Sequence, residues 1–125
     1  MEDKIRALRQ HVILCGIGET GRHAAGDFLR NRIPFVVIDK NREQIRSMEK
    51  IGQFLYIEGD ATNDQVLLRA GIKQARGLVS ALPQDRDNVF VMLTARELNP
   101  SLRIISKVEE VESRVKLMKA GADAV

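Results

Sequence analysis

HVILCGIGETGR, residues His11 to Arg22, is an apolar run that breaks at Gly16-Ile17-Gly18-Glu19-Thr20-Gly21 and passes into the helix-compatible Arg22-His23-Ala24-Ala25. Strand, tight turn and helix in that order are what the G-x-G-x-x-G fingerprint requires. In that pattern Gly16 lets the chain leave the strand, Gly18 lets bare backbone approach a pyrophosphate, and Gly21 lets the new helix pack closely on the sheet. The helix start offers unpaired N–H groups and a partial positive charge to an anion. Phe35-Val36-Val37-Ile38-Asp39 is a second buried-strand run ending in a carboxylate. It lies roughly twenty residues beyond the glycines, where such a residue accepts the ribose hydroxyls of an adenosine.

With 125 residues the chain has room for one core and not for two ordinary domains. Apolar residues make up 44% and charged residues 30%, and Met1-Glu2-Asp3-Lys4 lacks a signal-peptide pattern, so an intracellular setting is expected. The single Cys15, at a strand end, reads as a small buried hydrophobe in a reducing compartment. A net charge of +3 raises nucleic acid as a partner. Against it, the basic residues are scattered among 17 acids and only Tyr56 and four Phe are available for stacking, so no nucleic-acid partner is expected.

Around the first two strands the pattern repeats. Residues 1–10 place Ile5 and Leu8 a helical turn apart, as a lead-in helix or linker. Asn41 caps a helix, with Gln44 completing a capping box, and Gly52 ends it. A third strand, Phe54 to Glu58, runs into Gly59-Asp60-Ala61-Thr62, and Thr62 or Asn63 starts the next helix. Strands over Gly77–Leu82 and Arg103–Val108 alternate with helices over Asp85–Leu98 and Val111–Ala120. In the first of these helices Val89, Phe90, Leu93 and Leu98 form the expected apolar set. The fold class that follows is α/β, a Rossmann-like doubly wound parallel sheet of order 3-2-1-4-5. Ala122 to Val125 reads as the opening of a sixth edge strand, which predicts a longer polypeptide.

The succession HVILCGIGETG, FVVIDKN, IEGDAT, NVFVMLTARELNP, RIISKV and LMKAGADAV resembles the regulator-of-potassium-conductance (RCK) domain, also called the KTN or TrkA-N domain, from about His11 to Val125. The resemblance implies a regulatory module on the cytoplasmic side of a membrane, attached to a potassium channel or transporter and assembled as a homo-oligomer, a dimer or a gating ring. It places NAD+ or NADH, or as second choice ADP or AMP, on Gly16, Ile17, Gly18, Glu19, Thr20 and Gly21. Asp39 would hold the ribose with Lys40 beside the adenine, and Asp60, Ala61 and Thr62 would line the same end. Ser80, Ala81 and Leu82 would border the other half of the cleft, with Lys107 and Glu109 at the far end.

Two departures from the pattern narrow the ligand. Glu19 stands where many relatives carry a phosphate-clamping Arg, which disfavours a terminal triphosphate. Lys107 replaces an acid of calcium-gated relatives, so Glu109 and Asp60 are too few oxygen donors for a calcium site and no metal is expected. Asp39 favours NAD over NADP, because a 2′-phosphate would meet a carboxylate.

Two other readings of the residues stay open. The chain could be the cofactor half of an NAD-dependent oxidoreductase, although it offers no Tyr-x-x-x-Lys pair, and His11 and His23 read as structural. It could also be an interaction domain with a vestigial site, in which Asp39 and Asp60 only cap turns. No enzyme is expected. The outer faces of the Asp85–Leu98 and Val111–Ala120 helices, with Phe90, Met92 and Met118, are the expected subunit contacts, though core packing also accounts for Phe90.

Overall fold

The computed structural model describes residues 1–125. After a short helix α1 (Glu2–Arg6) the chain alternates: β1 (Val12–Cys15), α2 (Glu19–Arg30), β2 (Phe35–Asp39), α3 (Arg42–Glu49), β3 (Leu55–Glu58), α4 (Asp64–Arg69), β4 (Gly77–Ser80), α5 (Asp85–Leu98), β5 (Arg103–Ser106) and α6 (Ser113–Ala120). The five strands form one parallel sheet in the order β3-β2-β1-β4-β5. β1 therefore lies between β2 and β4, and the crevice beyond the carboxyl ends of β1 and β4 is where strand order reverses. Beyond β5 the chain makes one parallel bridge, Ile105 with Ala124, at the edge where a sixth strand is expected.

All four residues of β1 and the first four of β2 are buried, as a sheet covered on both faces demands. Alternation then divides the core. Ile13 and Cys15 join a cluster of 20 buried residues, and Val12 and Leu14 join one of 8 on the opposite face. The smaller cluster carries an aromatic run in which Phe28 meets Phe35, Phe35 stacks on Phe54 and Phe54 meets Tyr56, with centroids 5.4, 6.4 and 5.9 Å apart. The lead-in folds as α1, with Ile5 buried in the larger cluster. Full burial of such an aliphatic side chain is worth about 1.5–3 kcal/mol, enough to hold a five-residue helix that would not form alone.

Several local expectations differ from the structure. The capping box at α3 is half formed: the Asn41 side chain accepts from the backbone N–H groups of Glu43 and Gln44. The Gln44 carbonyl accepts instead from Arg22, while the Asn41 N–H is already taken by Asp39. In α5 the buried set is Asn88, Val91, Met92 and Ala95, while Val89 and Leu98 only flank the core and Phe90 and Leu93 are 52% and 54% exposed. The residue that sets the phase of the helix is the polar Asn88, which an apolar count passes over. Met92, expected at the surface, is thereby wholly buried and Phe90 lies outside the core. β4 and β5 end at Ser80 and Ser106, two residues earlier than expected: Ala81 and Lys107 each make one last backbone bond, to Cys15 and Ser80, after which Leu82 turns to the Asn88 side chain, and Ala81, Leu82 and Lys107 form part of the rim of the crevice.

Candidate functional site

A cleft of about 450 Å³ opens at the carboxyl ends of the strands. This is within the range of small-molecule sites, about 300–1,000 Å³. Its near wall is the glycine turn. Gly16 has φ +92°, and a Cβ there would come within 2.6 Å of the Ala81 carbonyl oxygen. A Cβ on Gly21 would overlap the Gly16 carbonyl. Packing inside the protein thus explains both glycines. Gly18 is different. It has ordinary extended geometry, φ −69° and ψ −156°, and a Cβ there would meet nothing within 4 Å. It is also the N-cap of α2, a 12-residue helix with no side-chain cap, so the N–H groups and positive dipole end of that helix are presented at the cleft.

Asp39 ties the turn to the next strand. One carboxylate oxygen accepts from the Ile17 N–H at 2.9 Å and the other from the Asn41 N–H at 2.8 Å. Each oxygen keeps a lone pair for another donor, and the residue lines the cleft. Across β3, Asp60 accepts from both the hydroxyl and the N–H of Thr62, at 2.7 and 2.9 Å. These two bonds, with the more distant charge of Lys40, hold its carboxyl below the usual carboxylate range.

The other half of the cleft is shaped by a residue the sequence reading missed. Asn88 is fully buried in the first turns of α5. It accepts from the Ser80 hydroxyl at 2.6 Å and the Leu82 N–H at 3.0 Å, and donates to the Leu82 carbonyl at 3.2 Å. Its amide thus replaces the strand neighbour that Leu82 loses where β4 ends. The Lys107 N–H donates to Ser80 at 2.8 Å, and its ammonium pairs with Glu109 at 2.6 Å. Asp85, at the start of α5, accepts from the Glu109 and Glu110 N–H groups at 2.8 Å each. Partial burial pushes its carboxyl up, but these hydrogen bonds outweigh that and leave it below the ordinary value.

Of the expected site residues, Gly16, Gly18, Glu19 and Thr20 line the cleft, as do Asp39, Lys40, Asp60, Ala61 and Thr62 on one side and Ala81, Leu82 and Lys107 on the other. Four do not. Ile17 points into the core and meets the cleft only by its backbone, Gly21 lies beneath the turn, Ser80 is buried against Asn88, and Glu109 is one step out behind Lys107. The lining also includes Asn41, Gln44, Gln84 and Asp87, each in the first turn or cap of a helix following a strand end. That position relative to a strand end was the available signal for them.

Cys15 is fully buried, which pushes its thiol up to about 12. No group of three or more His, Cys, Asp or Glu side chains is placed to hold a metal ion. His11 is buried at the opposite end of β1, its Nε2 2.8 Å from the Ala70 carbonyl.

The TrkA-N domain profile matches residues 12–125. The chain is 46% identical to probable potassium channel protein 2 of Methanocaldococcus jannaschii, over all of this chain and 37% of that protein. It is 30% identical to the glutathione-regulated potassium-efflux system protein KefC of an Enterobacter species, over 97% of this chain and 19% of KefC. Thus it spans little more than a third of the channel relative and about a fifth of KefC. Among solved structures, the GsuK channel bound to NAD superposes with a TM-score of 0.84 at 29% identity, over 95% of this chain and 22% of that one. GsuK bound to ADP gives 0.83 at the same identity, over 95% and 31%. Profile, relatives and the 3-2-1-4-5 sheet agree, and the chain belongs to the TrkA-N domain family.

Proposed function

We propose that this chain is the ligand-sensing regulatory part of a potassium channel or transporter, on the cytoplasmic side of the membrane, and that it binds NAD+ or NADH in the cleft, with ADP or AMP as second choice. The observation that carries the reading is Gly18. Two glycines of the turn are demanded by packing, whereas the third is bare toward open space at the uncapped start of α2. A pyrophosphate approaching the backbone is the physical reason for a glycine there. Asp39 then takes the adenosine ribose, with Lys40, Asp60, Ala61 and Thr62 around the same half. Ala81, Leu82 and Lys107 bound the other half, and Glu19 at the helix start turns away a terminal triphosphate. The NAD- and ADP-bound GsuK structures support this choice of ligands.

The role is binding and not catalysis. Ligand across the cleft favours one arrangement of paired chains, a coupling of about 1–3 kcal/mol that is enough to bias a gate. Phe90 and Leu93 on α5, with Val115 and Met118 on the neighbouring α6, are 52%, 54%, 61% and 42% exposed, and this apolar face suits contact with a second copy.

The test is calorimetric titration with NAD+, NADH, NADPH, ADP, AMP and ATP. Micromolar binding of NAD+ or NADH, weaker binding of ADP and AMP, and none of NADPH or ATP is expected. Absence of binding to any of them by the folded chain refutes the reading. Asp39→Ala weakens NAD binding, and because it also frees the Ile17 N–H its affinity is judged beside its unfolding midpoint.

A further inference from the structure

Basic residues that look scattered along the sequence are gathered by the fold at one end of the sheet. Arg9 precedes β1, Arg32 precedes β2, Lys73 and Arg76 precede β4, and Arg103 opens β5. Backbone bonds hold these starts side by side: Arg103 N–H to the Arg76 carbonyl at 3.1 Å, Arg76 N–H to His11 at 2.9 Å, and Gln10 N–H to Gln74 at 2.8 Å. With strands about 4.8 Å apart, the row from Arg32 to Arg103 crosses four strands and spans about 15 Å.

All five side chains are exposed and none is in an ion pair. Of the acids at this end, Glu2, Asp3 and Asp27 pair with Arg69, Arg6 and Arg30, and Asp123 pairs with Arg96 while also lying near the charge of Arg103. Only Glu49 and Glu97, at the ends of α3 and α5, stand free among them. Glu19, Asp60, Asp64 and Asp87 are at the other end, around the cleft. The molecule is therefore charge-polarised along its strand direction, with a positive end opposite the ligand site.

We propose that this basic end is a docking surface for an anionic lipid membrane. None of the five residues lines the ligand cleft or the cavity beside Met1 and Phe54, and they stand at or before the starts of four separate strands, so the row offers a spread of separate charges. A planar array of anionic headgroups is the partner that such a spread matches, and each Lys or Arg near it adds to the attraction. The inference rests on the reading of the chain as part of a membrane protein, and it orients the domain with its ligand cleft facing away from the bilayer.

The test is co-sedimentation of the 125-residue chain with phosphatidylcholine vesicles with and without phosphatidylglycerol. Binding only to the anionic vesicles is expected, falling as salt shortens the Debye length from about 10 Å at 0.1 M to about 3 Å at 1 M. Arg32→Gln, Lys73→Gln, Arg76→Gln and Arg103→Gln together lower the partition coefficient about fivefold per charge removed. Arg46→Gln, Arg86→Gln, Arg114→Gln and Lys116→Gln change net charge equally and leave most of the binding in place. Equal loss in the two variants, or a DNA duplex bound as tightly as the vesicles at the same salt, overturns the proposal. Nucleotide titration of both variants separates the two inferences. Intact nucleotide binding without vesicle binding removes only the membrane surface, and the converse removes only the ligand reading.

Discussion

Gly18→Ala and Gly21→Ala place one methyl group each on the same turn, and the structure assigns them opposite outcomes. At Gly18 the new Cβ meets nothing within 4 Å and φ is −69°, so there is no steric or backbone cost. What remains is the weaker N-cap preference of Ala, a loss of about 0.5–1 kcal/mol, against an entropic gain of about 0.4–1 kcal/mol in the unfolded chain. Stability therefore changes by less than ~1 kcal/mol. The methyl group does stand where a pyrophosphate would approach, displacing a hydrogen bond to a charged group worth about 1.5–3 kcal/mol, or about ten- to a hundredfold in Kd.

At Gly21 the Cβ overlaps the Gly16 carbonyl and lies 2.8 Å from its carbon. Both atoms are backbone, so α2 must shift. Overpacking of about 1–3 kcal/mol then exceeds the helix-propensity gain of about 1 kcal/mol at the upper part of that range. Urea unfolding and calorimetric titration of both variants with NAD+ are the assays. A Gly18→Ala protein that is stable and binds NAD+ with unchanged Kd would refute the assignment of this turn to the pyrophosphate.

Three other outcomes follow from contacts described above. Asn88→Ala leaves the Ser80 hydroxyl and both polar groups of Leu82 without their partner, and should cost about 2–4 kcal/mol in urea unfolding with an unchanged m value. His11 is held below its ordinary value of 6.5 by burial, partly offset by its bond to Ala70 and reinforced by the charge of Arg9. Its contribution to stability is thus complete above pH 6.5 and is lost as pH falls from there toward the folded value, so the urea midpoint should drop between pH 7.5 and 5.5, and drop less in His11→Gln. Phe90→Glu with Val115→Glu should convert an associating chain to a monomer in sedimentation velocity without moving its unfolding midpoint, because both side chains are more than half exposed.

Legibility in the sequence followed the strength of local signals. Strand runs, glycine turns and Asn caps are short-range features, and β1, β2 and the caps at Asn41 and Asn63 formed at the positions their chemistry indicates. Alternation implied a parallel sheet, and the glycine fingerprint after β1 pointed to the Rossmann order that the strands adopt. What the sequence hid was long-range. Asn88 is an unremarkable polar residue until β4 ends beside it and leaves Leu82 unpaired. The partners of Gln44, Glu109 and Asp85 are set by which loops meet above the sheet, and spacing along the chain carries no record of that. Charge polarity was invisible for the same reason, since residues as far apart in sequence as Arg9 and Arg103 come to one end of the molecule only when parallel strands bring their starts into one row.

The aromatic run beside β2 and β3 has an optical consequence. The chain contains no Trp and one Tyr, so its intrinsic emission arises at Tyr56. That residue is on β3, with Glu58 and then cleft-lining Gly59 following it. A titration followed by tyrosine fluorescence therefore watches a single strand at the Asp60 side of the cleft and is blind to events beside β5. Signal from that strand and heat from the whole molecule would separate ligand contact at one half of the crevice from rearrangement at the other.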